Sequence, residues 1–396
     1  MKNINIRFTQ ALLPVLNAIK QKGGKPFFVG GCVRDALLNI PCKDIDIEVH
    51  SIAVETLKGI LSSFGVLTEC GESFGILKVK LFADKEQMEF DFSVPRTEEK
   101  VGEKHTDFKV NLDPEMGLLE ATLRRDLTIN ALMWCPFTKQ VIDLHGGIED
   151  LQKGIARFVN RETFADDPLR VLRIMQMCSR FGLECEDDTL ALCIELAPKA
   201  CTIASERIAE EFAKIFKGKA LIIKALRFLS KSDWSVSLGF INLHKLFSTM
   251  KCKESLQFIQ MASNKLAVLL ALIAKQDVNL IKFGFDKKTA RFVKKAQELF
   301  LLNESEAFKV AKMSKEFQED FLIAQALETM LFVKEEQMFQ GSLKSLEPLV
   351  SGEDLKQMGL KPDNTFGQKL DTLLRLQVNK GLSKEELMAE AQKFIE

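Results

Sequence analysis

The most constraining feature of this chain is an apolar strand that runs into two glycines and is followed by a strand with two carboxylates. Residues 27–35 are FFVGGCVRD, and residues 43–47 are KDIDI. Because residues i and i+2 of a strand point to the same side, Asp44 and Asp46 share one face. The glycines let the backbone approach a phosphate, and Mg²⁺ prefers one or two carboxylates together with substrate phosphates. This combination predicts a metal-dependent site for a nucleoside triphosphate.

A third carboxylate is expected on a neighbouring strand. Residues 88–96 (MEFDFSVPR) alternate polar and apolar side chains, so Glu89 and Asp91 share a face. An acid on an adjacent strand can complete a two-metal site and orient the attacking hydroxyl. We prefer Asp91 for this role, and Glu89 is the alternative; the strand alone fits a solvated edge equally well. Arg34 is predicted to bind triphosphate oxygens, because its planar guanidinium forms paired hydrogen bonds with phosphate.

Two later segments carry charges in patterns that also suit nucleotide binding. In residues 124–130 (RRDLTIN), an Arg-Asp pair precedes Asn130 by one turn, which suits either a sugar hydroxyl or a solvated helix face. In residues 165–173 (ADDPLRVLR), Asp167, Arg170 and Arg173 recur near one helix face.

The second of these segments is either a capped helix with salt bridges or a base-recognition site. Cytosine and adenine each present an amino donor beside a ring-nitrogen acceptor, whereas guanine and uracil present a carbonyl beside an N–H. A carboxylate next to a guanidinium matches the first pair and leaves unpaired groups with the second.

Composition predicts a cytoplasmic protein of two or more domains. The chain has 396 residues, 46% of them hydrophobic, and lacks an apolar segment long enough for a membrane span. Its nine cysteines are scattered without a Cys-x-x-Cys motif, which favours a reducing cytosol over structural zinc or a disulfide framework. Although the net charge is zero, residues 211–298 contain 17 Lys and Arg against 6 Asp and Glu, a local charge of +11. This excess is typical of either a phosphate-backbone binder or a set of solvated helix faces.

The order of secondary-structure signals predicts an α/β head followed by an all-helical neck, body and tail. The predicted domains are 1–147, 148–215 and 216–396. The predicted elements are helices at 7–21, 31–39, 52–64 and 119–130, strands at 26–30, 44–49, 75–82 and 87–95, a hairpin near 132–143, and a long flexible loop at 96–118.

Taken in order, these motifs resemble those of the class II tRNA nucleotidyltransferases, the family of CCA-adding enzymes and poly(A) polymerases with a DNA polymerase beta-like mixed sheet. GGCVRD with DIDIE resembles the family's metal-binding motif, LRRDLTINAL its ribose motif, ADDPLRVLR its base-selecting motif, and SERIAEE the helix that follows. The resemblance covers residues 25–215. It implies addition of CCA to the 3′ end of tRNA from CTP and ATP, with Mg²⁺ as cofactor and release of pyrophosphate.

The resemblance also implies a role for each matching residue. Asp44 and Asp46 would bind Mg²⁺, and Asp91 would be the third carboxylate. The expected nucleotide contacts are Gly31 and Arg34 with the triphosphate, Arg125, Asp126 and Asn130 with the ribose, Asp167 and Arg170 with the base, and Arg173 with the nucleotide. The loop at 96–118 matches the loop that relatives need to switch from C to A, and the basic body is expected to bind tRNA.

The chain departs from the family pattern at two positions. Asp166 replaces the usual Glu, and Gln176 occupies a position where many relatives carry a nucleotide-contacting Arg. The alternatives are an enzyme that adds only CC or only A, a small-molecule nucleotidyltransferase, an inactive RNA-binding scaffold, and a poly(A) polymerase. Against the last, residues 71–75 are GESFG rather than the Gly-Arg-Arg-Phe-like segment of those relatives. The oligomeric state is left open.

Overall fold

The computed structural model describes residues 4, 6, 10–42, 44–70, 75–83, 86–100, 108–240, 256–276, 278–302, 306–328 and 347–395. The chain divides into two compact units, Met1–Ser237 and Leu238–Glu396. Within the described ranges, no helix combines the length and the apolar content needed to cross a bilayer.

The first unit contains all the described strands. The strands are β1 (Lys25–Val29), β2 (Asp46–His50), β3 (Val66–Cys70), β4 (Ile76–Ala83), β5 (Glu86–Ser93), β6 (Arg96–Lys100), β7 (Phe108–Leu112), β8 (Met133–Trp134), β9 (Val141–Ile142), β10 (Ile155–Ala156) and β11 (Glu184–Cys185). Its α-helices are α1 (Leu12–Gln21), α2 (Gly31–Leu37), α3 (Val54–Phe64), α4 (Leu118–Leu123), α5 (Gly147–Lys153), α6 (Arg161–Asp166), α7 (Leu169–Phe181), α8 (Asp187–Leu196), α9 (Ser205–Lys214), α10 (Ile222–Lys231) and α11 (Trp234–Ser237).

A seven-stranded mixed sheet in the order β3-β4-β5-β2-β1-β8-β9 forms the centre of this unit. Strands β2 and β5 are parallel, and the other neighbours are antiparallel. One face of the sheet carries Phe28, Ile47 and Phe92, which are fully buried and share a core with Leu16 of α1 and Leu57 of α3. Because strand side chains alternate, the polar residues of β2 and β5 lie on the opposite face.

The second unit is helical throughout its described residues. Its α-helices are α12 (Lys265–Ile273), α13 (Lys287–Phe300), α14 (Glu306–Lys312), α15 (Gln318–Glu328), α16 (Gly352–Gln357), α17 (Phe366–Lys380) and α18 (Lys384–Gln392). Helix α12 is apolar and buried from Ala267 to Ile273. The three C-terminal helices share a separate apolar cluster that includes Leu355, Leu373 and Leu387.

The predicted fold class is confirmed, since a mixed sheet is followed by a helical region. The predicted helices before residue 65 and the four predicted strands are observed with bounds shifted by a few residues, and β8 and β9 form the predicted hairpin. Strand β3 was missed because it is a five-residue edge strand directly after α3. The short parallel pair of β10 and β11 was also missed within the predicted helical region.

Two predicted segments need correction. The stretch 96–118 is not all loop, because β6 and β7 pair antiparallel from Arg96–Leu112 to Lys100–Phe108. The predicted helix at 119–130 ends at Leu123 and resumes only as a 3₁₀ turn at Thr128–Asn130. The break arises because the Asp126 carboxylate accepts the Leu127 N–H at 2.8 Å, which holds Leu127 extended.

Candidate functional site

Two acidic side chains are aligned where β2 and β5 run side by side, and a third lies just before β2. Asp46 and Asp91 are register partners in this parallel pair, and Asp44 lies exposed two residues before Asp46. Asp46 is open to solvent, yet the surrounding protein removes part of its hydration and raises its pKa above the ordinary value. The nearby carboxylates of Asp91 and Asp44 raise this pKa further, against the attraction of Arg125 and Lys78. These three residues, Asp44, Asp46 and Asp91, are called the acidic edge below, and they concentrate negative charge.

Lys78 partly compensates this edge from the neighbouring strand β4. Its ammonium lies 3.0 Å from Asp91 Oδ1 and 3.1 Å from Glu89 Oε1. The hydrogen bonds to these two carboxylates raise the pKa of Lys78 above its usual range. Glu89, the alternative third acid, shares Lys78 with Asp91 and also lies 3.8 Å from Lys80. Asp91 is the acid that is aligned with Asp46.

A buried arginine network begins two residues further along β2. Glu48 is fully buried, and its carboxylate lies 2.9 Å from Arg124 Nη2, 3.4 Å from Arg125 Nη2 and 3.2 Å from His50 Nε2. Burial disfavours the charged form, but the hydrogen bond with His50 and the charges of Arg125 and Arg124 outweigh it and lower the pKa of Glu48 to about 2. Desolvation in turn lowers the pKa of Arg125. This network fixes both arginines beside the acidic edge.

The glycine turn places a helix start beside the same arginines. Gly30 has a φ of +72°, and a Cβ there would lie 3.2 Å from Arg125 Nη1. Glycine tolerates this left-handed conformation and leaves room for the guanidinium. Gly31 begins α2, and Arg34 follows in the next turn, buried to 4% exposure.

A continuous chain of polar contacts connects α2 with α7. Arg34 Nη1 donates to Asn130 Oδ1 at 2.5 Å, and Asn130 Nδ2 donates to Asp126 Oδ1 at 3.0 Å. Arg173 Nε then donates to Asp126 Oδ2 at 2.6 Å. Burial opposes the Asp126 charge, but Arg173 and the hydrogen bonds hold its pKa well below the usual range. Four predicted site residues from three sequence motifs are thus brought together.

The remaining predicted residues are Asp167, which lies between α6 and α7, and Arg170, which lies in the first turn of α7. Asp167 accepts the Leu169 N–H at 3.1 Å and Arg207 Nη2 at 2.9 Å. Arg170 Nη2 donates to the carbonyl of Arg124 at 2.7 Å. Hydrogen bonds within the protein therefore hold both side chains in place.

Sequence reasoning missed the residues that support these groups. Glu48 and His50 continue the alternation that begins with the two aspartates of β2, so the same pattern could have found them. Lys78 and Arg207 carry no local signal, because their partners are distant in sequence. Of the two departures, Asp166 ends α6, and Gln176 is buried and accepts from Arg180 Nη1 at 3.1 Å.

The number and spacing of the carboxylates at the acidic edge limit how they could hold a cation. No three acidic, histidine or cysteine side chains among the described residues converge closely enough to hold a metal ion by themselves. Two carboxylates are nonetheless what Mg²⁺ commonly takes from a protein, with phosphates and water completing its shell. The repulsion around Asp46, which Arg125 and Lys78 relieve only in part, fits a site of this kind.

Comparison with known proteins decides the family. Residues 26–157 match the model of the poly A polymerase head domain. The CCA-adding enzyme of Streptococcus sanguinis is 35% identical over 303 residues, which cover 73% of this chain and 70% of that protein. This chain belongs to the CCA-adding enzyme family. The Multifunctional CCA protein of Nitrosospira multiformis is 34% identical over 192 residues, which span 48% of this chain and 43% of that relative.

Solved structures of the family share the fold along the whole chain. A CCA-adding enzyme in its apo form II superposes with a TM-score of 0.65 and 20% identity, covering 99% of this chain and 100% of that one. The Thermotoga maritima CCA-adding enzyme in complex with tRNA gives a TM-score of 0.63 at 19% identity, with both chains fully covered. The chain is therefore a tRNA nucleotidyltransferase by family, with the corresponding fold.

Proposed function

We propose that this protein adds C, C and A to the 3′ end of tRNA, using CTP and ATP and releasing pyrophosphate. The observation that carries the proposal is the alignment of Asp46 with Asp91 on neighbouring central strands of the sheet, next to the polar chain from Arg34 to Arg173. Relatives of this chain are named as CCA-adding enzymes, and solved structures of such enzymes include complexes with tRNA, CTP and ATP.

Asp44 and Asp46 would hold Mg²⁺ at the acidic edge. Bound there, the metal would neutralise charge on the phosphate and on the attacking and leaving oxygens. Asp91, at the same level of the neighbouring strand, would orient the tRNA 3′-hydroxyl or accept its proton. The hydroxyl attacks the α-phosphate in line, the bond to the β-phosphate breaks, and pyrophosphate leaves. Most of the catalysis is then positioning and charge neutralisation.

The nucleotide would lie along the polar chain between α2 and α7. Gly31 and Arg34 would contact the triphosphate, because a helix start and a guanidinium both favour anions. Arg125, Asp126 and Asn130 would contact the ribose, and Arg173 would contact the nucleotide. The polar chain from Arg34 to Arg173 is already hydrogen-bonded in the free protein, so little ordering is needed on binding.

Asp167 and Arg170 would select the base. The carboxylate accepts from the amino group of cytosine or adenine, and the guanidinium donates to the adjacent ring nitrogen. Their anchors, Arg207 and the Arg124 carbonyl, keep them at a fixed separation. A uracil or guanine would face a donor with a donor and an acceptor with an acceptor, which is costly in a partly buried site.

The helical body would bind the tRNA backbone. Helix α13 buries Phe292 and Val293 and exposes Lys287, Lys288 and Arg291, so its outer face is basic. Basic faces bind RNA phosphates without reading bases. The division into a head (1–147), a neck (148–215) and a body with tail (216–396) is part of this proposal. So is a cytosolic location, which the free thiols among the described cysteines support.

Three tRNA transcripts test the proposal, ending before CCA, after C and after CC. Each is incubated with the pure protein, Mg²⁺, and CTP, ATP or both, and the products are sized on a sequencing gel. Growth of all three to a complete CCA end, followed by arrest, is the expected result. Absence of addition despite tight tRNA binding would contradict it and favour an inactive scaffold.

A second candidate is another nucleotide-adding activity of the same head domain. The head-domain match is to a model of poly A polymerases, so unlimited A addition would identify that activity. Arrest at CC, or action on the CC-ended transcript alone, would identify half of a two-enzyme pair. The same gel separates these results.

A further inference from the structure

A second guanidinium lies beside Arg34 and has no assigned role. Arg180, in the last turn of α7, places its guanidinium carbon 4.9 Å from the ring centroid of Phe181. The guanidinium carbon of Arg34 lies 4.4 Å from the same centroid. Two like charges thus share one aromatic ring, which is unfavourable unless an anion comes between or beside them.

The protein itself compensates Arg180 only in part. Its Nη1 donates to Gln176 Oε1 at 3.1 Å, and its Nε is buried without a hydrogen-bond partner among the described residues. Of the nearby carboxylates, Asp35 lies 2.6 Å from Arg34 Nη2, and Glu211 pairs with Lys214 through Oε1 at 2.7 Å, while its Oε2 is buried without a hydrogen-bond partner among the described residues. A buried N–H without an acceptor costs free energy that a ligand oxygen could recover.

Electrostatics agree with this geometry. Desolvation, followed by repulsion from Arg34, lowers the pKa of Arg180, and the more distant Arg173 adds to the repulsion. Asp35 and Glu211 act in the opposite direction. Arg180 thus shares a ring with Arg34 and is repelled by Arg173, and the proposed function already assigns both of these arginines to the nucleotide.

We propose that Arg180 is a phosphate-binding residue that contacts the pyrophosphate portion of the incoming nucleotide beside Arg34. Gln176 is its positioning residue, because the buried amide oxygen fixes the direction of the guanidinium. The ligand class is a polyphosphate, since a pair of guanidinium forks matches closely spaced phosphate oxygens and adds charge of the needed sign. This inference rests on the proposed function and extends it to a residue that sequence reasoning did not select.

Equilibrium binding of CTP and of pyrophosphate, both with Mg²⁺, tests the inference. Arg180→Gln should weaken both by about tenfold, the value for loss of one charge-assisted hydrogen bond, and should leave the preference for CTP over UTP unchanged. Arg180→Lys should recover part of the loss, because it restores the charge without the fork. The matched control is Arg161→Gln, which removes an exposed arginine paired with Glu195 on the same unit and should bind both ligands like the parent.

Further measurements separate the outcomes. If Arg180→Gln fails to unfold cooperatively like the parent, Gln176→Leu keeps the charge, removes the positioning bond, and should weaken pyrophosphate binding about threefold. Unchanged pyrophosphate binding in either folded variant would overturn the inference. Loss of CTP binding with pyrophosphate binding intact would also overturn it, because the contact would then lie outside the phosphates. If the parent protein binds no CTP at all, it is the proposed function that fails.

Discussion

Two pairs of ionisable side chains, one at the start of β2 and one further along it, illustrate opposite uses of charge. Asp44 and Asp46 are exposed, face another carboxylate, and repel one another. Glu48 and His50 are buried and hydrogen-bonded, and Glu48 is neutralised by two arginines. Arg125 and Lys78 offset the charge of the first pair only in part, whereas the second pair is hydrogen-bonded and ion-paired and fixes its surroundings. Residues only a few positions apart thus differ in their use of charge. Asp44 and Asp46 are proposed to bind a cation, whereas Glu48 and His50 stabilise the fold.

The largest expected effect is on activity at the exposed end of this strand. Asp46→Ala should lower nucleotide addition by at least about a thousandfold, since charge neutralisation at the phosphate contributes several kcal/mol. Its melting temperature should stay the same or rise, because the substitution relieves repulsion. Asp44→Ala should behave alike, and both variants should bind tRNA as the parent does. Gel-based turnover, thermal unfolding and filter binding measure the three quantities; retained turnover in either variant would remove the metal assignment.

The buried end should respond in the opposite way. Glu48→Gln should lower the free energy of unfolding by about 3 kcal/mol, because it leaves buried arginines without a counter-charge. Urea denaturation at pH 7 measures this loss. A loss no greater than that of Asp46→Ala would remove the contrast between the two ends.

The same residue predicts a dependence of stability on pH. Since the pKa of Glu48 is lowered from 4.5 to about 2 on folding, its contribution is fully present above about pH 4.5 and is lost as the pH falls toward 2. The free energy of unfolding, measured by denaturation at each pH in this range, should therefore depend less on pH for Glu48→Gln than for the parent. Equal pH dependence in the two proteins would mean that folding does not lower the pKa of Glu48.

The third carboxylate sharpens the comparison within the exposed end. Asp91→Asn should lower the rate of addition by about a hundredfold, the low end for loss of an acid–base group. Glu89→Gln is its matched control on the same face of β5 and should change the rate by less than about threefold, because Asp91, and not Glu89, is aligned with Asp46. A larger loss for Glu89→Gln would exchange their roles.

These contrasts also show what the sequence can and cannot predict. Alternation in DIDIEVH and in MEFDFS places the acids on one face, and the structure aligns Asp46 with Asp91 as that pattern requires. The sequence does not determine which acids remain uncompensated, because Lys78 reaches Asp91 from another strand and Arg124 reaches Glu48 from a segment 76 residues away. The break in the predicted helix at 119–130 has the same origin, since Asp126 is held by Arg173 of α7. Local pattern thus predicts faces, and tertiary contacts decide charge.

The proposed base-selecting residues, Asp167 and Arg170, resemble Glu48 and His50 in that protein contacts already hold them in place. Arg170→Ala should reduce the preference for CTP over UTP by about tenfold, the scale of one lost discriminating contact, and should alter triphosphate affinity less. Single-turnover addition with each nucleotide measures the preference. Arg161→Gln is again the control, as an exposed arginine outside the site. Loss of all nucleotide binding with unchanged selectivity would contradict the assignment of Arg170 to the base.

The smallest effect is expected at Lys78, which joins the two types of environment. Its ammonium bridges Glu89 and Asp91, so it competes with a divalent cation for the exposed edge. Lys78→Met should therefore lower the half-saturating Mg²⁺ concentration by about threefold, within the range of an exposed ion pair. Lys80→Met, two residues along the same strand and 3.8 Å from Glu89, should leave it unchanged. If Lys78→Met instead raises the half-saturating Mg²⁺ concentration, Lys78 would be a ligand of the substrate phosphate and not a competitor of the cation. Only Asp44 and Asp46 would then be accessible to the metal.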